Sequence, residues 1–298
     1  MAVFPEFEPL GLEHRVLKEL LLQANPTTSE MCFGSLFIWQ DTYPAYISKI
    51  ENGFVLRGEE EFLMPVCERN LEETEKIVQA IEEYNGARQK NTVFKFTPKD
   101  CAEFLKQRNY VVVPDRDNFD YVYLTEELAT LPGQKYYSKR KDIKKFLEKT
   151  GGNAVFVELK QEHLEQCLAL NLNWIVEKEL NNDFHVMAEH RALERAIKHY
   201  SELEFIGYAV VLEGKVVGFT IAEALSSDTV VVHFEKGDYR LPGIYQYINQ
   251  KFAEAMLGKF KYINREQDLG IPGLRKAKES YHPIMLLEKY TCTKYINM

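Results

Sequence analysis

A run of polar side chains lies on and after the third strand of an antiparallel meander predicted in the second half of the chain. His233 and Glu235 belong to that strand, TVVVHFEK, and both residue types can take a proton from a nucleophile. The strand leads through a Pro-Gly loop, residues 240–245, into a predicted helix. Free backbone N–H groups and the helix dipole at such a start bind phosphate, and Arg240 adds a fixed positive charge. The segment predicts a phosphate or pyrophosphate site, with a plain helix-opening loop as the alternative.

A second polar cluster occupies one predicted strand–loop–helix unit, INREQDLGIPGLRKAKESYHP, residues 263–283. Arg275, Lys278 and Tyr281 follow one another at a spacing of three, which places them on roughly one helix face. The remaining charged residues either bind substrate or form a solvated turn with local salt bridges. The candidate substrate-binding residues of this unit are Arg265, Glu266, Asp268, Arg275 and Lys276.

The spacing Arg240-x-x-Gly243-x-Tyr245 resembles the loop with which GNAT acyltransferases hold the pyrophosphate of coenzyme A. The resemblance implies that the loop, the helix start and two polar residues of the second cluster contact the cofactor. These residues are Arg240, Leu241, Gly243, Ile244, Tyr245, Asn264 and Lys278.

GNAT enzymes also carry an Asn near the end of the next strand, and an Ala and a Tyr four residues apart on the next helix. Asn264, Ala277 and Tyr281 match that pattern. The resemblance implies that Tyr281 is the acid that protonates a departing thiolate. The polar insert at 265–270 departs from the pattern and leaves coenzyme A open as the donor.

A basic segment, KYYSKRKDIKKFLEK at 135–149, carries seven Lys or Arg against two Asp or Glu, although the whole chain has a net charge of −8. We expect a helix over 138–149. Its charge favours contact with a polyanion, or peripheral contact with an acidic membrane surface, and an exposed basic helix without a partner is the alternative.

Composition excludes several classes of function. A chain this acidic is not expected to coat nucleic acid non-specifically, so an anionic ligand must be met by a local patch. The cysteines are odd in number, scattered and without a CxxC pair, and the histidines lack metal-ligand spacing, so we expect free thiols, no metal site and no tightly bound cofactor. The N-terminus has no signal-peptide pattern, and no apolar run approaches the roughly 18 residues of a membrane span. A cytoplasmic protein without a transmembrane segment is expected.

The elements that position these residues repeat along the chain. Both halves are predicted to run helix, hairpin, strand, helix, strand, helix, strand, with hairpins at Asn52-Gly53 and Glu213-Gly214. Residues 125–137 are interpreted as a connection, and IMLLEKY at 284–290 as a single last strand. We therefore predict two mixed-sheet domains, 1–130 and 131–298. The second carries the donor site, because Arg69-Asn70-Leu71, before the first-half helix 71–84, contains no Pro-Gly loop.

Three longer runs, KYYSKRKDIKKF, HFEKG…GIYQYINQKFA and YINREQDLGIPGLRKAKESYHP, resemble the family related to the C-terminal domain of phosphatidylglycerol lysyltransferase. The resemblance spans nearly the whole chain and implies an α/β (α+β) fold of two tandem GNAT-like domains packed together. Its best-known members move an aminoacyl group from charged tRNA to a membrane lipid, and Fem-type relatives move amino acids from tRNA to peptidoglycan precursors. The lipid-modifying enzymes carry a multi-helix membrane domain that this sequence does not show, so lipid modification is the less expected reaction.

The resemblance implies acyl or aminoacyl transfer from acyl-coenzyme A or aminoacyl-tRNA, as co-substrate, to an amine or hydroxyl. Splayed strands ending near Glu235 and Asn264 would straddle the donor carbonyl, and free backbone N–H groups would stabilise the oxyanion. Tyr281 is then the general acid and Glu235 or His233 the base. Glu266 and Asp268 would bind the α-amine of an aminoacyl donor. The alternative is a non-catalytic module that binds a nucleotide or tRNA and retains the tandem fold.

Overall fold

The computed structural model describes residues 1–24, 27–51, 53–65, 71–180 and 182–296, and all their side chains except that of Leu71. The helix stop predicted at Asn25-Pro26, the turn residue Asn52 and the residues Arg69-Asn70 lie outside these ranges. Within them the chain forms a mixed α/β fold built on two sheets, which confirms the predicted fold class.

The first half contributes four helices and five strands to the described fold. The predicted hairpin over 46–57 is confirmed, and the apolar segment FGSLFIW forms a short helix whose residues are almost all buried. The strands are β1 (Glu8–Pro9), β2 (Tyr46–Ile50), β3 (Gly53–Arg57), β4 (Thr92–Pro98) and β5 (Val111–Pro114). The helices are α1 (Val16–Ala24), α2 (Phe33–Ile38), α3 (Leu71–Gly86) and α4 (Lys99–Gln107).

The rest of the chain follows the predicted order with one addition. Residues 125–130 form a helix, so the interpretation of 125–137 as a plain connection was wrong. The strands are β6 (Asp120–Leu124), β7 (Val155–Glu158), β8 (Ile206–Leu212), β9 (Lys215–Ala224), β10 (Thr229–Gly237), β11 (Tyr262–Asn264), β12 (Met285–Leu287) and β13 (Lys289–Lys294). The helices are α5 (Thr125–Thr130), α6 (Tyr137–Lys149), α7 (Gln161–Glu177), α8 (Phe184–Lys198), α9 (Ile244–Met256) and α10 (Pro272–Glu279).

The larger sheet has seven strands in the order β12-β6-β11-β10-β9-β8-β7. Strands β7 to β10 form an antiparallel meander, as predicted from the hairpin at Glu213-Gly214. Only β10 and β11 run parallel, because α9 connects them as a crossover. This parallel pair is where the two strands of the predicted site meet.

The two halves exchange strands. β6, which precedes residue 130, pairs with β11 and β12 in the larger sheet, whereas β13, at the end of the chain, pairs between β4 and β5 in the first half. The single last strand expected at 284–290 was therefore wrong, because the chain changes sheets at Glu288. Phe62 bridges both β3 and β4, so the strands of the first half join into one surface.

Apolar residues on the two faces of the larger sheet form separate cores. One core packs α7 and α8 against the sheet together with α1 and α2 of the first half. The other packs α5, α6 and α9 on the opposite face. Both cores reach the end of the β10–β11 pair, so side chains on either face at that point are withdrawn from bulk solvent.

Candidate functional site

The candidate site begins where β10 and β11 separate. The parallel ladder pairs Thr229 to Val231 with Tyr262 to Asn264 and then stops, because β11 ends there while β10 continues. Beyond the last pair on the β11 side, the backbone N–H groups of Arg265 and Glu266 already donate to the Tyr121 carbonyl and to Asn264 Oδ1. The pairing of the two strands thus ends at Asn264, before Glu235 is reached.

A bulge in β10 decides which way the predicted bases point. The register with β9 shifts between Val232 and Phe234, so the alternation of side chains is interrupted at His233. His233 packs edge-on against Phe205 in one core, whereas Glu235 points toward the core on the opposite face. The two residues proposed as alternative bases thus lie on opposite faces of the sheet.

His233 bridges two carboxylates. Its Nε2 lies 2.9 Å from Glu223 Oε1 and its Nδ1 lies 2.8 Å from Glu266 Oε1. Glu223 in turn accepts hydrogen bonds from the backbone N–H groups of Gly34 and Ser35, at the N-terminus of α2. The chain Gly34–Glu223–His233–Glu266 therefore ties the first half to the insert after β11.

The surroundings of His233 favour its charged form. Burial alone would lower the pKa of His233, but its contacts with Cys32, Glu223 and Glu266 outweigh burial and hold the pKa well above its usual value. The imidazolium has no lone pair to accept a proton, so the geometry gives His233 a positioning role and leaves Glu235 as the stronger candidate for the base.

Cys32, Glu223 and His233 also form a cluster of metal-ligand types, with ligand atoms within 4.8 Å of one another. Sequence spacing missed this cluster because its members come from three distant segments. Burial and the Glu223 carboxylate raise the pKa of the Cys32 thiol, and that thiol donates to the Ser29 carbonyl. In the arrangement described, Cys32 donates to Ser29 while His233 is paired with Glu223.

On the opposite face, Arg265, predicted to bind substrate, instead contacts both the predicted base Glu235 and the predicted acid Tyr281. Arg265 Nη2 donates to Glu235 Oε1 over 2.8 Å, and the guanidinium lies 5.2 Å from the centre of the Tyr281 ring. Glu235 Oε2 and the Tyr281 hydroxyl make no hydrogen bond within the described ranges. Burial raises the pKa of the Tyr281 phenol although Arg265 opposes this, so the hydroxyl keeps its proton.

Lys278 lies one helical turn before Tyr281 and is enclosed by the insert. Its ammonium donates to the backbone carbonyls of Arg265 and Glu266. Burial, reinforced by the positive charge of Arg265, lowers its pKa to about 8. The Glu266, Asp120 and Glu235 carboxylates act in the opposite direction without reversing the shift.

We expect the Lys278 shift to appear in the pH dependence of stability. Between pH 8 and 10.5 the unfolded chain binds this proton and the folded chain does not, so the free energy of unfolding rises with pH across that window. Lys278→Met removes the rise, about 3 kcal/mol in full, while other titrations cancel in the difference between the two proteins. Urea unfolding at pH 7, 8, 9 and 10 measures it, and a constant difference between the two proteins would contradict the buried position of this ammonium.

The residues of the predicted pyrophosphate loop contact other parts of the protein. Arg240 forms a two-pronged ion pair with Asp238 over 2.8 Å and also reaches Glu177. Gly243 begins α9 with φ +88°, and the Asp142 carbonyl of α6 lies so close that a β-carbon would not fit. Leu241, Ile244 and Tyr245 pack into the core, with Tyr245 donating to the Gly237 carbonyl.

Asp268 and Arg275 belong to a structural ion cluster. The buried Asp268 carboxylate accepts from Arg275, Arg116 and the Tyr121 hydroxyl, and these contacts hold its pKa well below its usual range in spite of burial. It has no free oxygen for a substrate amine. Lys276, on the same helix, is exposed.

Asn264 is likewise fully buried, donates to Asp120 and accepts from the Glu266 backbone. Sequence reasoning missed Asp120 and its partner Lys289, which are buried on the two exchanged strands. It also missed Glu223 and treated Lys139 only as part of the basic run. A buried lysine among exposed ones leaves no signal in composition, although Lys139, Ile143 and Phe146 together mark the inner face of a helix.

The helix expected at 138–149 is confirmed as α6. Several of its charges are paired nearby, including Lys145 with Asp142 and Lys144 with Glu148. In the ranges that the structure covers, none of the helices combines the length and apolar character that crossing a membrane requires. Cys32, Cys167 and Cys292 are free thiols, and Cys67 lies outside those ranges.

Comparison with known proteins shows which solved structures this chain resembles. A solved protein of unknown function from Bacteroides thetaiotaomicron is 28% identical, with a TM-score of 0.89 over 96% of this chain and 98% of its own. The C-terminal domain of a putative lysylphosphatidylglycerol synthetase from Agrobacterium fabrum superimposes with a TM-score of 0.67 at 10% identity, over 95% and 92% of the two chains. L-PGS from Bacillus licheniformis gives 0.62 at 11% identity, over the same shares.

An uncharacterized protein of Mycoplasmoides gallisepticum is 23% identical over 189 residues, 63% of this chain, and the match spans 60% of that protein's length. The family described as phosphatidylglycerol lysyltransferase, C-terminal, matches residues 23–293. The chain belongs to the phosphatidylglycerol lysyltransferase C-terminal domain family.

Proposed function

We propose that this protein transfers an aminoacyl group from a charged tRNA to an amine or hydroxyl acceptor. The observation that carries the proposal is the grouping of Glu235, Arg265 and Tyr281 beside the gap between β10 and β11. In the described part of the chain, one oxygen of Glu235 and the hydroxyl of Tyr281 make no hydrogen bond. A carboxylate and a neutral phenol are the two proton-transfer groups that ester aminolysis or transesterification needs.

The proposed reaction is direct displacement. Glu235 takes the proton of the acceptor as its nitrogen or oxygen bonds to the ester carbon, and backbone N–H groups at the strand separation stabilise the oxyanion. The bond from the carbonyl carbon to the ribose oxygen then breaks, and Tyr281 protonates that oxygen. Arg265 holds the Glu235 carboxylate in place.

The contacts around the α9 N-terminus support tRNA over coenzyme A as the donor. Arg240 is held by Asp238 and Glu177, and the backbone of α6 lies against Gly243. A coenzyme A pyrophosphate would need both the charge and the space at that loop. The family relationship to a lysyltransferase domain supports the same choice.

The test uses hydroxylamine as a general acceptor, because it attacks both esters and thioesters. We expect the protein to accelerate hydroxamate formation from bulk charged tRNA above the rate without protein, and to leave acetyl-coenzyme A unaffected. Raised salt should weaken tRNA binding steeply. Acceleration with the thioester alone would overturn the choice of donor. Salt-sensitive tRNA binding without acceleration of either donor would favour a non-catalytic binding module.

A further inference from the structure

Lys139 belongs to the basic helix α6 but turns its ammonium inward. The residue is 9% exposed, its Nζ lies 4.0 Å from the centre of the Tyr281 ring, and it donates to Ser280 Oγ over 2.6 Å. Asp142, one turn further along, pairs with Lys145 instead. Within the described ranges, no carboxylate lies within ion-pair distance of Lys139.

Lys278 reaches the same region from α10. Two of its three ammonium protons go to backbone carbonyls, which carry no formal charge. As with Lys139, the described part of the chain places no carboxylate at ion-pair distance from it. The third proton has no hydrogen-bond acceptor among the described residues, and the ammonium lies 5.8 Å from the centre of the Tyr121 ring.

Arg265 supplies the third positive charge and has one carboxylate partner, Glu235. Its charge acts on both Lys139 and Lys278, because the pKa of each lysine is lowered first by burial and then by Arg265. Lys139 and Arg265 thus lie against the Tyr281 ring, and Lys278 lies near Arg265. Within the described ranges these three cations form one ion pair, that of Arg265 with Glu235.

Such an arrangement is unfavourable when nothing else is bound. Buried charges in proteins are normally paired, since taking an ammonium out of water is costly without a counter-charge. The donors left over on Lys139, Lys278 and the guanidinium of Arg265 point to a ligand that brings negative charge and several acceptor oxygens.

We propose that Lys139, Arg265 and Lys278 form a binding site for a phosphate group of the substrate, directly beside Tyr281. The assignment of that phosphate rests on the proposed function: the oxygen that Tyr281 protonates is a ribose hydroxyl of the terminal adenosine, and the nearest phosphate is the one on the same ribose. The site therefore holds the 5′-phosphate of the donor's terminal nucleotide. In coenzyme A the pyrophosphate is too far from the thiol for it to bind at these cations while the thiol lies beside Tyr281.

The test measures binding without turnover, using 5′-AMP as a mimic of the terminal nucleotide, with adenosine and glycerol 3-phosphate for comparison. We expect 5′-AMP to bind by calorimetry and adenosine to bind at least tenfold more weakly. Lys139→Met should weaken 5′-AMP binding about ten- to a hundredfold, the range for one lost charge-assisted hydrogen bond. Lys141→Met, an exposed lysine on the same helix, should leave the affinity within about twofold.

The variant is expected to fold, because it removes a buried charge without a carboxylate partner, and its Tm without ligand should equal or exceed that of the wild type. A folded Lys139→Met protein with unchanged 5′-AMP affinity would overturn the site. Binding of glycerol 3-phosphate but not 5′-AMP would overturn its assignment to the donor. Since these measurements need no transfer, 5′-AMP binding that depends on Lys139 would uphold the site even if the hydroxamate assay failed.

Discussion

Tyr281→Phe is expected to lower the rate of aminoacyl transfer by about 10²- to 10⁴-fold, the usual contribution of a positioned general acid. The phenol is buried and its pKa is raised, so it carries its proton at neutral pH and can give it to the departing ribose oxygen. Its hydroxyl makes no hydrogen bond within the described chain. Removing the oxygen should therefore change the free energy of unfolding by less than about 1 kcal/mol. The rate with charged tRNA and hydroxylamine, measured beside urea unfolding, tests both expectations.

Tyr123→Phe is the matched control. Tyr123 is buried, packs edge-on against Tyr281 with ring centres 6.5 Å apart, and donates its hydroxyl to the Lys278 carbonyl over 2.8 Å. Its loss should cost about 1 kcal/mol of stability and leave most of the transfer rate. Equal rates for the wild type and Tyr281→Phe, or equal losses in the two variants, would remove Tyr281 from the chemistry.

The parts of the site that sequence reasoning found lie on short local segments. Glu235 lies near the end of one strand, Arg265 directly follows the next strand, and Tyr281 lies two residues after the helix that comes next. A strand–helix–strand crossover must bring the ends of its two strands to one edge of the sheet, so these residues could be expected to meet. The local sequence pattern and the geometry of the crossover were sufficient to predict that these segments meet.

Other features of the site depend on a β-bulge and on contacts between distant segments, which the hydrophobic pattern of the sequence does not predict. One extra residue in β10 sends His233 and Glu235 to opposite faces, and a strand pattern with and without a bulge has the same composition. The pKa of His233 is raised by contacts with Cys32, Glu223 and Glu266, which lie on three other segments of the chain. The burial of Lys139 likewise depends on how α6 docks beside α10.

The strand exchange is the clearest example of a feature that the sequence pattern does not predict. The predicted last strand, 284–290, spans parts of two strands that belong to different sheets. Apolar alternation specifies a buried face and not the sheet that supplies it. Only the partner strands decide that β6 belongs to the second half and β13 to the first. The division at residue 130 stays a prediction about chain order, and packing joins the two halves across it.

Lys289→Met is expected to destabilise the whole protein by about 3–5 kcal/mol, because it leaves buried carboxylates without their cation. The Lys289 ammonium is fully buried at the start of β13 and gives its three protons to Asp120 Oδ1 (2.7 Å), Glu30 Oε1 (2.6 Å) and Ser29 Oγ (3.1 Å). Asp120 also holds Ser29 and the amide of Asn264. Urea unfolding of the variant at pH 7 measures the loss.

The same contacts explain why the loss should reach both halves. Asp120 lies on β6 and Lys289 on β13, so one ion pair joins the two exchanged strands where each crosses into the other half. Lys294→Met provides the control on β13, since Lys294 is 35% exposed and its ion pair with Glu82 should contribute less than about 1 kcal/mol. In Lys289→Met, both halves should still unfold in a single transition, and the urea concentration at its midpoint should decrease. A loss no larger than that of Lys294→Met would mean that the exchanged strands are held by their backbone ladders and apolar faces, and that the buried pair contributes little to joining the halves.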